Sequence, residues 1–431
     1  MTSTSSDRFA LAVVASLAFV LRVVPFFGAE GPWTYRVDYD EGVYFTAASL
    51  LLKGFMPYRD FVFVHPPGIV LFLAGTSAWS SVLVGVDGAF ALARWIASGL
   101  GVLNVVLVWA VTLEWSRSRW AALFAAFVYA TYPEIVQVER GPFIEPLLNA
   151  CVLAMTLSVM TKRFRLAAVL AGVAMAFKLW AAMWIVGALW ALPDNRERVR
   201  FTLLSAGVFF AAVLPFALLA PVEFVKQTLF FHFGRPPDGF PRLQRFEQIV
   251  ALRHLASPIL ATASLFIIRH RIVTTAWVLT LISFFATAAW WSQYNAHLVA
   301  SEAVLAGAFV SWVLKEKDIA GRGFLFAGAV FLCISLFFVI KRIPNRGEDH
   351  LALARMNLPK DQCVFSFEPS WMLAAGRLPT RPLVVDSYAM ALMKRELDGI
   401  EDCEWVAMGV RGKKQLTPEQ RSRLRGRVVL E

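Results

Sequence analysis

The sequence is short of charge and of cysteine, and each shortage excludes a class of protein. Charged residues make up only 17% of the 431 residues, whereas hydrophobic residues make up 58%. A soluble chain needs more polar surface than this, so an ordinary globular protein is excluded. The four cysteines and six histidines show no zinc-binding spacing, so a structural zinc site is not expected.

Long apolar stretches dominate the chain up to residue 341. About twelve of them follow one another, each roughly 15 to 25 residues long and therefore long enough for a membrane-spanning helix. The first, near residues 9–27, has no small-residue cleavage site after it, which favours an uncleaved helix. The pattern predicts an all-α polytopic membrane bundle of about 11–13 helices.

The C-terminal part of the chain differs from this pattern. It is polar, and short strand-like runs (VFSF, PLVV, WVAMG and RVVLE) alternate with helix-like segments such as residues 387–399. We therefore expect a membrane module over residues 1–344, with polar loops at 28–65 and 221–253, and a small α/β domain over residues 345–431. Two cysteines of this domain, Cys363 and Cys403, would pair if it lies in an oxidising compartment.

The basic residues predict the orientation in the membrane. They gather in short clusters between apolar stretches, such as RSRW at 117–120 and NRERVR at 195–200, as cytoplasmic loops do. The N-terminus is therefore predicted to be cytoplasmic, and the two polar loops and the C-terminal domain extracytoplasmic. The same distribution explains the net charge of +11, so a nucleic-acid partner is not expected.

Three apolar stretches, at 66–86, 89–113 and 119–133, conflict with this topology. They lie between an outside loop that ends near residue 65 and an outside region near residue 140. Returning to the same side of a membrane requires an even number of crossings. One of the three is therefore predicted not to cross, and the sequence leaves open which one.

The segment YRVDYDEGVYFTAASLLLKG concentrates three acids after the first apolar stretch. Asp38, Asp40 and Glu41 stand at the start of a predicted helix that ends at Gly54. In one interpretation the acids stabilise the N-terminus of this helix, which lies on the membrane surface. In the other, a carboxylate acts as a general base or binds a divalent cation. The predicted membrane-facing residues are Val43, Ala47, Leu50 and Leu51.

Further polar residues fall at the predicted outer ends of apolar stretches. Charges in or beside membrane-spanning segments are costly, so they usually line a cavity or a pathway. We therefore expect a polar cavity that opens to the outside. Its candidate residues, besides the acids, are His65 before Pro66-Pro67, Arg140, Glu145, Lys178, Arg235 and His297.

The order of the motifs that carry these residues resembles one enzyme family. The motifs are DYDEG to HPPG at 38–68, ERGPFIEPLLN at 139–149, AMAFKLWAAMW at 174–184, FHFGRPPDG at 231–239 and WWSQYNAHLVASEAVLAG at 290–307. Together they resemble the polyprenyl-phosphate-sugar-dependent glycosyltransferases of the GT-C fold. The similar branch contains protein O-mannosyltransferases and the aminoarabinose transferase of lipid A.

The resemblance implies a role for each matching residue. Asp40 would be the catalytic base, with Glu41 as the second candidate. His65, Lys178 and Arg235 would bind the donor phosphate, and a divalent cation such as Mg²⁺ or Mn²⁺, if present, would bind Asp40 and Glu145. The residues that would form or support the sugar and acceptor site are Asp38, Arg140, Glu145, Tyr294 and His297. Glu145 and His65 depart from the family, which often has Asp, and Lys or Gln, at these positions.

The function implied by the resemblance is sugar transfer by an inverting displacement. The donor would be a polyprenyl-phosphate-linked sugar, and the acceptor a hydroxyl of a lipid, a glycan or a protein outside the bacterial inner membrane. The C-terminal domain would be a lid or an acceptor-binding element. A lipid or small-molecule transporter also needs charges inside a helical bundle and is the alternative, although no internal repeat supports it.

Overall fold

A computed structural model describes most of the membrane module and part of the C-terminal domain. The described residues are 5–237, 240–267, 270–316, 319–343, 362–380, 383–393, 403–409, 419, 422 and 428–430. The predicted domain boundary at 344/345 lies outside them, and so do residues 394–399 of the predicted helix 387–399.

The membrane module is helical, as the apolar stretches predict. In chain order its α-helices are α1 (Ser5–Val23), α2 (Tyr39–Leu52), α3 (Gly68–Thr76), α4 (Ser81–Ser116), α5 (Arg119–Thr131), α6 (Pro133–Val138), α7 (Ile144–Met160), α8 (Phe164–Phe177), α9 (Ala182–Ala191), α10 (Asn195–Leu219), α11 (Pro221–Val225), α12 (Phe231–Gly234), α13 (Arg242–Ile249), α14 (Ala256–Ile267), α15 (Arg271–Ala286), α16 (Asn295–Glu316) and α17 (Ile319–Lys341). The loops predicted at 28–65 and 221–253 therefore contain helices of their own.

Several of these helices can cross a membrane. Four helical segments of the described chain are long and apolar enough to do so: Asp7–Phe27, Ala78–Ser116, Asn195–Leu219 and Ser292–Lys315. Six shorter apolar helices of 10–17 residues accompany them. The chain is a multi-pass membrane protein, and the predicted all-α bundle is confirmed.

The apolar stretch at 66–86 is not one continuous helix, and the stretch at 119–133 forms α5 of only 13 residues. That one of the three stretches does not cross stays a prediction. Residues 66–86 form α3 of nine residues, a short turn at Ala78–Ser80 and the beginning of α4. At about 1.5 Å per residue, α3 is about 14 Å long, roughly half the thickness of a bilayer's hydrocarbon core. The stretch 89–113 lies within the long helix α4.

The predicted helix after the three acids is present as α2, but it does not lie on the membrane surface. The prediction of a face on the membrane surface is wrong, because Val43, Ala47 and Leu50 are buried in the protein. Helix α3 packs against α2, and so does a helix of the C-terminal domain, α18 (Pro369–Ala374). The contact with α18 requires glycine at residue 42, where a Cβ would lie 2.7 Å from the backbone nitrogen of Ser370.

The C-terminal domain is a small α/β unit, as predicted. Strands β1 (Val364–Ser366), β2 (Trp405–Ala407) and β3 (Val428–Leu430) form a parallel sheet in this order, and α19 (Ser387–Leu392) follows α18. Residues 383–385 of the PLVV run form no strand; Val384 and Val385 are buried in an irregular segment before α19. Cys363 and Cys403 form a disulfide.

A network of paired polar groups holds the bundle together behind the cavity. Glu139, fully buried, accepts hydrogen bonds from Arg22 of α1 (Nε, 2.8 Å), Asn104 of α4 (2.8 Å) and Tyr129 of α5 (2.8 Å). A buried charge is tolerated only when it is paired and hydrogen-bonded in this way. The network therefore fixes three helices around the loop between α6 and α7.

The contact between α2 and α18 can be tested with one added methyl group. Gly42→Ala is expected to destabilise the protein by about 1–3 kcal/mol, because the new Cβ meets a backbone rather than a flexible side chain. Gly75→Ala in α3 is the control, since nothing lies within 4 Å of its added Cβ. Thermal unfolding and the rate of limited proteolysis of the C-terminal domain are measured in detergent. Equal behaviour of the two variants would contradict the proposed close packing.

Candidate functional site

A polar cavity of about 560 Å³ lies where the membrane module meets the C-terminal domain. The chain brings together, in its lining, seven of the ten residues singled out from the sequence. These are Asp38, Asp40, His65, Glu145, Lys178, Arg235 and Tyr294. Glu41, Arg140 and His297 lie behind the wall. The lining also includes Tyr39, Tyr44, His232, Gln293, Asp386 and Tyr388.

The beginning of α2 carries the acidic group of the cavity. A carboxylate oxygen of Asp38 accepts the backbone N–H of Asp40 (3.1 Å), and the backbone N–H of Asp38 donates to Glu41 (2.9 Å). This reciprocal arrangement is a capping box. Asp40 is partly exposed, and its Oδ2 accepts a hydrogen bond from Gln293 (3.0 Å). Asp38 and Glu41 thus form the cap, while Asp38 and Asp40 line the cavity.

Glu41 is buried and paired rather than open to the cavity. Arg94 of α4 donates to both of its carboxylate oxygens, each at 2.9 Å. The same guanidinium donates to the backbone carbonyls of Pro32, Tyr35 and Arg36. Because both oxygens of Glu41 are engaged, these contacts favour Asp40 over Glu41 as the chemically available acid. Glu41 fixes the start of α2 instead.

A buried triad lies at a break between two helices. α8 ends at Phe177, and Lys178 adopts an extended backbone before a short turn and α9. Its ammonium donates to Glu145 Oε1 (2.8 Å) and to His297 Nε2 (3.0 Å). Its nitrogen also lies 4.9 Å from the centre of the Tyr294 ring. Lys178 therefore stands at a break between two helices, within the motif AMAFKLWAAMW.

The predicted divalent cation fits this arrangement poorly. Glu145 already contacts the Lys178 ammonium, and a second positive charge at the same carboxylate would be repelled. Within the described part of the chain, no group of three or more His, Cys, Asp and Glu side chains could hold a metal ion. We therefore assign no metal to Asp40 and Glu145.

His65 lies beside the cations of the cavity. Its Nε2 is 3.2 Å from the hydroxyl of Tyr44, and its ring centre is 5.6 Å from that of His232. Burial, His232 and Lys178 together hold the pKa of His65 well below its usual value of 6.5. The imidazole is therefore neutral near pH 7 and can offer a hydrogen bond but no charge.

Arg235 provides a cation where the cavity meets the C-terminal domain. Its NH2 group donates to the hydroxyl of Tyr388 (3.2 Å), and its guanidinium carbon lies 5.7 Å from the Trp291 ring centre and 5.9 Å from that of Phe231. The buried Nε has no hydrogen-bond partner among the described residues. Arginine Nε–H is a strong donor, so it is available to an anion.

Arg140 supports the site from outside the cavity. It is buried, donates to the carbonyl of Leu21 (2.8 Å) and stacks over the ring of Tyr35 at 4.5 Å. It therefore connects the loop after α6 to α1 and to the segment that leads into α2. Of its two predicted roles, sugar site or support, these contacts favour support.

The sequence interpretation missed most of the lining, including polar residues beside Asp40 and Arg235. Gln293 stands next to the predicted Tyr294, and His232 lies within the motif that carries Arg235. Tyr39, adjacent to two singled-out acids, was likewise overlooked, and no local pattern distinguished Asp386 or Tyr388. Both come within three residues after the strand-like run PLVV, which is not a functional signal.

Taken together, these features define a multi-pass helical membrane protein whose charged cavity is covered by a small α/β domain. Its fold is similar to that of ArnT from Cupriavidus metallidurans in the apo state, with a TM-score of 0.63, 15% identity, and coverage of 87% of this chain and 86% of that chain. ArnT bound to undecaprenyl phosphate matches with the same TM-score and 14% identity, over 88% of this chain and 86% of that chain. The chain therefore has the GT-C fold, as predicted.

Two curated proteins are similar in sequence, both called GPI mannosyltransferase 1. That of Aspergillus oryzae is 27% identical over 167 residues, 38% of this chain and 38% of its own length. That of Emericella nidulans is 23% identical over 256 residues, 52% of this chain and 55% of its own length. The chain thus spans about a third to a half of the relatives it matches. No family model matches the chain.

Substitution of Arg94, the partner of Glu41, tests whether Glu41 has a structural rather than a chemical role. Arg94→Gln leaves a buried, unpaired carboxylate and is expected to lower the free energy of unfolding by about 3–5 kcal/mol. Adding Glu41→Gln should restore part of this loss, because the uncompensated charge disappears. Both variants are compared by thermal unfolding in the same detergent.

Arg200→Gln is the matched control, because Arg200 forms an exposed pair with Glu197. It should leave the unfolding temperature unchanged. If Arg94→Gln also leaves it unchanged, the ion pair does not hold α2 in place.

Proposed function

We propose that this chain is a membrane glycosyltransferase that moves a sugar from a polyprenyl-phosphate donor to a hydroxyl acceptor. The observation that carries the proposal is the composition of one cavity. It contains a partly exposed carboxylate, Asp40, together with two cations, Arg235 and Lys178. These are the groups that a displacement at a sugar phosphate requires. The names of the similar proteins and the undecaprenyl phosphate bound by ArnT agree with it.

The cations would act on the donor phosphate. As the bond between the anomeric carbon and the phosphate oxygen breaks, that oxygen keeps the electron pair and gains negative charge. Arg235 would stabilise this charge through its unused Nε–H, while Lys178 supplies a second positive centre beside Glu145. His65, being neutral, would contribute a hydrogen bond.

Asp40 would act on the acceptor. An acceptor hydroxyl attacks the anomeric carbon from the side opposite the phosphate, and its proton passes to the Asp40 carboxylate as the new C–O bond forms. A single displacement of this kind inverts the anomeric centre. The hydrogen bond from Gln293 to Oδ2 would orient the carboxylate for this step.

The rest of the cavity would receive the acceptor. Its wall away from the residues already assigned is polar and mixed in charge, which suits a hydroxyl-rich molecule. The acceptor class, whether lipid, glycan or protein, is left open, and the relatives' names make mannose the first sugar to test. The wall consists of Arg36, Glu134, Gln137, Gln248, Arg253 and Arg342.

We place the site on the extracytoplasmic side of a bacterial inner membrane, with the N-terminus in the cytoplasm. The basic clusters between the apolar stretches support this orientation. The disulfide between Cys363 and Cys403 agrees with it, because disulfides persist in oxidising compartments. The polyprenyl chain would then stay in the bilayer while its phosphate enters the cavity.

Replacement of the proposed base tests the reaction. Asp40→Asn keeps the size of the side chain but cannot accept the proton, so transfer should fall by about 10²–10⁴-fold. Cells that lack the protein are profiled for missing lipid- and glycan-linked sugars, then complemented with wild type or Asp40→Asn. The rate at which the missing conjugate reappears is measured.

Asp194→Asn at the cap of α10, outside the cavity, is the control, because asparagine also caps a helix N-terminus and should preserve the rate. Near-normal transfer by Asp40→Asn would exclude Asp40 as the base. A lipid or solute that accumulates on one side of the membrane, without any loss of a sugar conjugate, would favour a transporter.

Binding of the donor phosphate is tested without knowing the sugar. Arg235→Gln should weaken the binding of undecaprenyl phosphate by about 10- to 100-fold, the loss of one charge-assisted hydrogen bond. Arg242→Gln, an exposed arginine at the start of α13 outside the cavity, should bind like wild type. Affinities are obtained by titrating the purified protein in nanodiscs. Equal affinities for all three proteins would remove Arg235 from the phosphate site.

A further inference from the structure

Helix α19 of the C-terminal domain extends into the wall of the cavity. Asp386, which caps the helix, and Tyr388 in its first turn both line the cavity. Asp386 is 7% exposed and Ser387 is fully buried. A peripheral lid would present surface residues at this place. Here the C-terminal domain instead provides part of the wall itself.

One side of α19 holds the start of α2. The hydroxyl of Tyr39 donates to Asp386 Oδ1 (3.1 Å) and lies 3.1 Å from the Ser387 hydroxyl. The backbone N–H of Tyr388 donates to the same Tyr39 hydroxyl (3.2 Å). Tyr39 is the residue directly before Asp40, so these contacts fix the position of the proposed base.

The other side of α19 holds Arg235. The Tyr388 hydroxyl accepts a hydrogen bond from the Arg235 guanidinium (3.2 Å), and the Tyr388 ring centre lies 5.3 Å from the guanidinium carbon. Trp291 packs edge-on against the Tyr388 ring, with 6.4 Å between ring centres. The aromatic rings restrict where the guanidinium can lie, and the hydroxyl restricts its rotation.

Helix α19 is itself anchored at several points. The Ser387 hydroxyl donates to the carbonyl of Phe367 (2.9 Å), next to β1. Ala389 is fully buried in a cluster with Val62, Val64 and Phe231. Val64 precedes His65, and Phe231 precedes His232. The helix therefore has a fixed place between the sheet of the C-terminal domain and the loops that carry the cavity's histidines.

We infer that α19 positions the proposed base and the proposed phosphate-binding cation relative to each other. Tyr39, Asp386 and Tyr388 are positioning residues in this arrangement, the first two for Asp40 and the third for Arg235. This inference rests on the proposed function for the roles of Asp40 and Arg235. It adds that the C-terminal domain is an integral part of the site.

The need for such an element follows from the chemistry of displacement. The base must meet the acceptor hydroxyl on one side of the anomeric carbon, while the cation meets the phosphate on the other. Misplacement of either group by about 1 Å can cost about 10²-fold in rate. Asp40 and Arg235 belong to different elements, α2 and the end of α12. A third element that contacts both would fix their separation.

The first arm of the test removes only the contact to Arg235. Tyr388→Phe keeps the ring and deletes the hydroxyl, so the binding of undecaprenyl phosphate to the full-length protein in nanodiscs should weaken by about 3- to 10-fold. The unfolding temperature should not change. Hydrogen–deuterium exchange of residues 39–44 should also stay as in wild type, because the Tyr39 contacts remain.

The second arm removes only the contact to α2. Tyr39→Phe should speed hydrogen–deuterium exchange of residues 39–44. In complemented cells it should slow the reappearance of the missing sugar conjugate by about 3- to 10-fold. Its affinity for undecaprenyl phosphate should equal that of wild type. Tyr388→Phe is thus expected to change phosphate binding but not exchange, and Tyr39→Phe exchange but not phosphate binding. A general loss of structure would change both measurements in both variants.

Loss of a helix cap provides the matched control. Asp386→Ala should speed exchange of residues 39–44, because it removes both the cap and the acceptor of the Tyr39 hydroxyl. Asp194→Ala at the cap of α10 should leave exchange there unchanged. If Tyr388→Phe and Tyr39→Phe both match wild type in binding and exchange, α19 does not position the site. The inference would also be overturned if, in both variants, the unfolding temperature fell, phosphate binding weakened and exchange of residues 39–44 sped up together.

Failure of the proposed function can be distinguished from failure of the positioning by α19. If wild type does not bind undecaprenyl phosphate, the proposed donor is wrong, and the positioning of Arg235 for that donor is overturned with it. The exchange measurements need no ligand, so they decide separately whether α19 holds the start of α2.

Discussion

The bidentate ion pair between Glu41 and Arg94 is the interaction on which the cavity depends. Arg94 is fully buried within α4, where an unpaired guanidinium would be very costly. Its pairing with Glu41 and with three backbone carbonyls determines where the preceding loop runs and where α2 begins. Since Asp40 is the neighbour of Glu41, the same pair decides that Asp40 faces the cavity.

The rule that a buried charge must be paired also separates structural charges from functional ones. Glu139 and Arg22 satisfy each other deep in the bundle, where no ligand could reach them. Lys178 and Glu145 are paired at the cavity, so Lys178 can contribute positive charge without standing alone in an apolar wall. Arg235 keeps a buried Nε–H without a partner in the described part of the chain. An unsatisfied donor at a cavity wall is where an anion would gain most.

The sequence predicted the helical bundle and seven residues of the cavity lining, because apolar stretches and charges at their ends are local signals. It did not predict the partner of Glu41, although an arginine inside an apolar stretch is itself such a signal. The membrane-facing side of α2 was predicted wrongly because its apolar residues face α3 and the C-terminal domain, and periodicity does not identify what covers a face. Asp386 was missed because its contact with Tyr39 joins residues 347 positions apart.

The long-range contacts change how the C-terminal domain is understood. A domain joined only by a linker could be removed while the cavity kept its shape, but here Ser370 packs directly on Gly42 and Asp386 holds Tyr39. Both contacts bear on the first turn of α2. The Arg94–Glu41 pair holds this turn from within the membrane module, and α18 and α19 hold it from outside. Asp40 is therefore fixed between two domains, so neither domain alone would form the site.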